Sequence, residues 1–142
     1  MYDEILVPTD GSAEAEVAVE HAVDIAATYG ARLHALYVVD ASAYATLDVT
    51  ETVVEDLEDE GEAAVEAIAT AAADAGVETQ RAITKGNVHE AITAYARAND
   101  IDLIVMGTHG RRGLDRVLVG SVTERVIRTA DVPVLTVRSE TE

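Results

Sequence analysis

The 142 residues predict an α/β fold, a doubly wound, five-stranded parallel sheet of order 3-2-1-4-5 with helices on both faces. Short apolar runs alternate with stretches whose apolar residues recur at helical spacing, giving the order βαβαβαβαβ. Each strand is joined to the next by a helical crossover, which makes the sheet parallel and covers both of its faces. Right-handed crossovers then favour the doubly wound arrangement. A length of 142 residues with no linker-like run and no fixed repeat suits one domain, residues 1–142.

The first strand is the run Ile5, Leu6, Val7, ending at Pro8. A helix starting at Ser12 follows, with Ala15, Ala18, Val19, Ala22, Val23 and Ala26 on its buried face and Gly30 as its stop. The second strand is Leu33 to Val39. After a polar stretch, Thr52 and Glu55 fit a capping box that opens a long helix near Thr52. Val54, Leu57, Gly61, Ala64, Val65, Ile68 and Ala72 form its buried stripe, and Gly76 closes it. The third strand runs from about Glu78 to Thr84. Asn87 with Glu90 caps a third helix carrying Ala91, Ile92, Tyr95 and Ala96. Leu103 to Met106 is the fourth strand, Ser121 to Thr129 the fourth helix, and Val134 to Arg138 the fifth strand.

Composition narrows the function. The formal charge is −17, with 27 acidic residues against 10 lysines and arginines, of which Lys85 is the single lysine. That balance reads as a surface adapted to high salt, because the acids are spread along every helix. The phosphate backbone of DNA or RNA demands a broad basic footprint, which this chain lacks, and five tyrosines without phenylalanine or tryptophan offer no base-stacking platform. Absence of cysteine removes disulfides, thiolate metal sites and cysteine nucleophiles. No apolar run approaches the roughly 18 residues of a membrane span. The start Met1-Tyr2-Asp3-Glu4 has no basic leader, so a soluble cytoplasmic protein is expected. His21, His34 and His89 fall on separate elements, away from acidic clusters with metal-ligand spacing, and none reads as a metal site.

The most informative segment joins the fourth strand to the fourth helix. Gly107 to Ser121 reads G-T-H-G-R-R-G-L-D-R-V-L-V-G-S and holds four of the nine glycines. Glycine serves where the backbone takes positive φ or nears a ligand, and a helix N-terminus offers free N–H groups to an anion. Residues 107–128 carry five arginines (Arg111, Arg112, Arg116, Arg125, Arg128) against Asp115 and Glu124, the one net-positive stretch of the chain. Arg125 and Arg128 also fit a solvated helix face, whereas Arg111 and Arg112 lie inside the glycine loop. The switch point of a 3-2-1-4-5 sheet lies between strands one and four, which brings Pro8-Thr9-Asp10-Gly11 beside this loop.

Neither G-x-x-x-x-G-K-[ST] nor a G-x-G-x-x-G after the first strand is present. What remains is G-x2-G-x9-G-[ST] at Gly107, Gly110, Gly120 and Ser121. This spacing after the fourth strand resembles the nucleotide-binding signature of the universal stress protein family. The likeness runs from I-L-V-P-T-D-G-S through Y-V-V-D and M-G-T-H-G to G-S-V-T-E-R-V and V-P-V-L-T-V. It implies an adenosine pocket lined by Pro8, Thr9 and Asp10, with the Asp10 carboxylate accepting from ribose hydroxyls and the Val38 backbone meeting adenine. Met106, Gly107, His109, Gly110, Arg111, Arg112 and Gly113 would wrap ribose and phosphates. Gly120, Ser121, Val122 and Thr123 would present N–H and hydroxyl groups to the phosphates at the positive end of the helix dipole.

Structural roles stand beside these. Ser121 with Glu124 is also a capping box, Asp10 also a turn residue, Gly107 and Gly113 also turn glycines, and His109 also a loop side chain near the nucleotide. The resemblance implies a stress-response regulatory protein that holds ATP or AMP, with magnesium brought by the phosphates, and that pairs as a homodimer through the fifth strand, Val134 to Val137. A slow ATPase or nucleotide-dependent enzyme on the same fold is the alternative. Against it, the chain shows no phosphate-loop lysine, no second acidic pair for magnesium and no placed general base. A receiver domain would need an acidic pair after the first strand. A flavodoxin would place FMN phosphate where Glu14 and Glu16 repel it.

Overall fold

The computed structural model describes residues 1–40, 51–108 and 120–138, with residues 51–53 described by backbone alone. Its elements are β1 (Glu4–Thr9), α1 (Ala13–Tyr29), β2 (Arg32–Asp40), α2 (Glu51–Asp74), β3 (Thr79–Gly86), α3 (Val88–Ala98), β4 (Leu103–Gly107), α4 (Ser121–Thr129) and β5 (Val134–Val137). The five strands form one sheet of order β3-β2-β1-β4-β5, every pair parallel, as the crossover argument predicts.

Alternate residues of each strand point to opposite faces, and both faces are dry. Ile5, Val7, Leu33, Ala35, Tyr37, Val39, Leu103 and Val105 pack with α1 and α2 through Ala18, Ala22, Val65 and Ile68. Leu6, Leu36, Ile104 and Met106 pack on the other face with Ile92 and Ala96 of α3 and Val126 of α4. Ile5, Leu6 and Val7 are wholly buried, each worth about 1.5–3 kcal/mol, so the central strand is fixed from both sides.

Helix ends follow their local chemistry. Ser12 caps α1 by accepting from Ala15 N–H at 3.3 Å, and Gly30 ends it in the left-handed conformation at φ 66°. Asn87 caps α3 by accepting from Glu90 N–H at 3.3 Å. Two expected caps are corrected. Glu51 is already helical, so Thr52 lies inside α2 and not at its start. The N-cap of α4 is Gly120, with no side-chain bond, so Ser121 is the first helical residue and Glu124 pairs instead with Arg128 at 2.8 Å.

Candidate functional site

β1 pairs with β4 only at Ile5–Leu103 and Leu6–Ile104, whereas its pairing with β2 continues to Thr9–Tyr37. The β1–β4 pairing thus ends at Leu6–Ile104, and the C-terminal ends of these two strands form the switch point, where a sheet of this order has its crevice. Pro8 stands just past the last β1–β4 pair, half-buried, and supplies no N–H there. The turn after it is held locally: Thr9 Oγ1 accepts from Gly11 N–H at 3.0 Å, Asp10 Oδ1 from Ser12 N–H at 2.9 Å, and Gly11 takes φ 80°. Asp10 thus performs the turn role, which delivers the N-terminus of α1 to the crevice.

The opposite wall is built by three bonds at the end of β4. Thr108 N–H donates to Val137 C=O at 3.1 Å, and its carbonyl accepts from Gly120 N–H at 2.5 Å. Thr123 Oγ1 donates to Gly107 C=O at 2.9 Å. Residues 108 and 120, the two ends of the glycine loop, are clasped together, and α4 is fixed with its N-terminus beside β4. The first intrahelical bond of α4 runs from Glu124 N–H to Gly120 C=O, leaving the amides of Ser121, Val122 and Thr123, as at every helix start, without a helical partner among the described residues. The helix dipole adds a partial positive charge at the same point.

Several expectations change in this light. Gly107 is small because α1 crosses it: a Cβ there would meet Glu14 O at 3.0 Å and Glu14 Cβ at 3.4 Å. Neither Gly107 nor Gly120 has positive φ, and Gly120 sits at φ −67°, ψ 160°, which any residue adopts. The Thr123 side chain is buried and its hydroxyl proton is already committed to Gly107, so it has its backbone N–H and not its hydroxyl proton to offer an anion. Ser121 is exposed. Val38 and Met106 line the face shared with α3 and α4, Val38 half-buried and Met106 buried, and Val122 packs on the same cluster. His109, Gly110, Arg111, Arg112 and Gly113 lie outside the described residues.

The sequence reading gave no role to Thr108, whose buried position and two backbone bonds clasp the loop; its place in the M-G-T-H-G block was the available signal. It also named no partner for His34, to which β1 and β2 bring Glu4 Oε1 at 2.6 Å from its Nε2 and α3 brings Tyr95 Oη at 2.8 Å from its Nδ1. Arg32 Nε donates to the same Glu4 oxygen at 3.0 Å. Burial pushes the Glu4 carboxyl up, but the bonds and charges of His34 and Arg32 outweigh it and hold the group below its ordinary range. Burial raises the Tyr95 phenol, with the Glu4 charge reinforcing and Arg32 opposing. This network sits at the N-terminal ends of β1 and β2, at the opposite end of the sheet from the crevice.

The model of the universal stress protein family matches residues 1–138. The chain belongs to the universal stress protein family. A universal stress protein of Methanocaldococcus jannaschii is 40% identical over 141 residues, spanning 97% of this chain and 83% of that relative. The solved structure of a second protein of the family from that organism matches with a TM-score of 0.90 at 33% identity, covering 100% of this chain and 99% of that one. A universal stress protein solved in complex with cAMP matches with a TM-score of 0.75 at 26% identity, over 98% of each chain. As a member of this family the chain carries the five-stranded 3-2-1-4-5 sheet, and among the described residues no helix is long and apolar enough to cross a membrane.

Proposed function

We propose that the protein is a nucleotide-binding regulatory member of its family, holding ATP or AMP in the crevice between β1 and β4 without efficient catalysis. The observation that carries this reading is the convergence of the α4 N-terminus, the clasped loop ends and the β1–α1 turn at the point where the β1–β4 pairing ends. Phosphates would sit against the amides of Ser121, Val122 and Thr123, with Arg111 and Arg112 of the loop adding positive charge. Pro8, Thr9, Asp10, Val38 and Met106 would form the nucleoside end, and Gly107, His109, Gly110, Gly113 and Gly120 the shell around ribose and phosphates. Magnesium would enter held by the phosphates. The cAMP complex of a relative supports an adenine nucleotide as ligand.

The working unit in this reading is a cytoplasmic homodimer joined through β5. That strand is the sheet edge, and its Leu135 is 38% exposed, so an apolar edge stands open to a partner strand. The acidic surface suits a salt-rich cytoplasm.

Mass spectrometry of small molecules released from gently purified protein, followed by calorimetric titration with ATP, AMP and adenosine, tests the reading. Gly120→Val is the informative variant, because its backbone tolerates a side chain and a loss of binding then reports close approach of a ligand. Expected is loss of ATP binding with helical CD retained. Unchanged ATP affinity in Gly120→Val removes the crevice as the site. A monomeric mass by light scattering at tens of micromolar protein in high salt removes the dimer.

A further inference from the structure

The first turn of α4 is anchored by a bond that runs opposite to an ordinary helix cap. Gly120 is the N-cap and makes no side-chain cap bond. A Ser, Thr, Asn or Asp cap would accept from the second or third amide of the helix, and so occupy a donor that an anion could use. Thr123, the third helical residue, anchors the turn by donating instead: its buried hydroxyl gives its proton to Gly107 C=O at 2.9 Å. That bond ties the turn to β4 and uses none of the helix's amides.

The carbonyl that receives Thr123 is itself held in place. Gly107 pairs with Val137 of β5, and on the α1 face a Cβ there would meet Glu14 O at 3.0 Å, so the backbone of α1 closes on it. Val126, three residues beyond Thr123, is wholly buried in the cluster shared with α3, and it docks the body of α4 with or without the hydroxyl. Loss of the Thr123 hydroxyl would therefore leave the helix docked while letting its first turn shift against β4. The directions of the Ser121, Val122 and Thr123 amides depend on that turn.

We propose that Thr123 is a positioning residue of the crevice: its hydroxyl, bonded to the strand and not to the ligand, aims the first amides of α4 at phosphate. The proposal rests on the nucleotide reading of the crevice. Within it, the Thr123–Gly107 bond controls affinity for the phosphates and not for the nucleoside.

Thr123→Val keeps the shape of the side chain and removes the hydroxyl, whereas Thr123→Ser keeps the hydroxyl. Calorimetric titration of the full chain with ATP and with adenosine, paired with hydrogen–deuterium exchange at the Gly120 and Glu124 amides of the ligand-free proteins, compares both variants with the wild type. Expected in Thr123→Val is a fall in ATP affinity of about tenfold, the size of one lost hydrogen bond, with adenosine changed by less than about threefold. Both amides should exchange faster than in the wild type, and Thr123→Ser should restore affinity and exchange together. ATP affinity unchanged in Thr123→Val, or ATP and adenosine weakened alike, overturns the positioning role. Weakened ATP with unchanged exchange in the ligand-free protein overturns it as well, because the hydroxyl would then act on the phosphate directly. If Thr123→Val does not fold, the wild type decides: the NMR signal of the Thr123 hydroxyl proton should stay in place when ATP is added, and its displacement overturns the proposal. Absence of wild-type ATP binding sinks the nucleotide reading itself, and the proposal with it.

Discussion

Replacing Tyr95 by phenylalanine removes a single oxygen from a closed chain of hydrogen bonds. The imidazole of His34 is 1% exposed, with Nε2 at 2.6 Å from the Glu4 carboxylate and Nδ1 at 2.8 Å from the Tyr95 hydroxyl. A carboxylate only accepts, so Nε2 carries a proton, and in the neutral imidazole Nδ1 is then the acceptor for the phenolic O–H. Phenylalanine keeps the edge-on ring contact, whose centroids are 5.6 Å apart, and leaves Nδ1 without a donor inside the protein. A buried polar atom deprived of its partner costs about 1–3 kcal/mol. For a domain of this size each kcal/mol lowers Tm by about 3–5 °C, so Tyr95→Phe is expected to lower it by about 3–15 °C at neutral pH. Differential scanning calorimetry in high salt measures this. A Tm within about 1 °C of the wild type would refute the claim that the hydroxyl satisfies His34. Nucleotide affinity should be unaffected, because the network lies at the N-terminal ends of β1 and β2 and the crevice at the C-terminal ends of β1 and β4.

The same network sets an acid limit. The folded-state Glu4 carboxyl is held below its ordinary value, so its contribution is full above the unfolded-state value, about 4.3, and is lost as pH falls through the lower folded-state value. Denaturant unfolding from pH 6 down to pH 2 should show this loss in the wild type and a shallower one in Glu4→Gln; parallel curves would remove Glu4 from the acid limit. Gly61→Ala should destabilise despite a helix-propensity gain of about 1 kcal/mol, because the new Cβ would stand 2.6 Å from Cδ1 of the buried Tyr37 ring and overpacking costs about 1–3 kcal/mol. A raised Tm in that variant would show that the ring moves aside freely. Stability should also rise with potassium chloride up to molar concentration, since a charge of −17 is screened as the Debye length falls to about 3 Å at 1 M; a flat or falling Tm over that range counts against a salt-adapted surface.

What the sequence by itself determined is the architecture. Strand and helix periodicities are local, caps such as Ser12, Asn87 and Gly30 act within one turn, and the crossover rule converts the order of elements into a sheet order. The family blocks were legible for the same reason, being stretches of contiguous residues. Contacts between residues distant in the chain were left to the tertiary structure. Gly107 is small because Glu14, 93 positions earlier, crosses it, and nothing in the glycine spacing separates that cause from ligand approach. Thr123 was read as a phosphate donor, and only the packing of α4 on β4 commits its hydroxyl to Gly107. Glu4, His34 and Tyr95 sit on three elements with no shared spacing, yet strand register and helix docking bring them within hydrogen-bond reach. Periodicity reports which face a residue occupies; which partner waits on that face is decided when the layers pack.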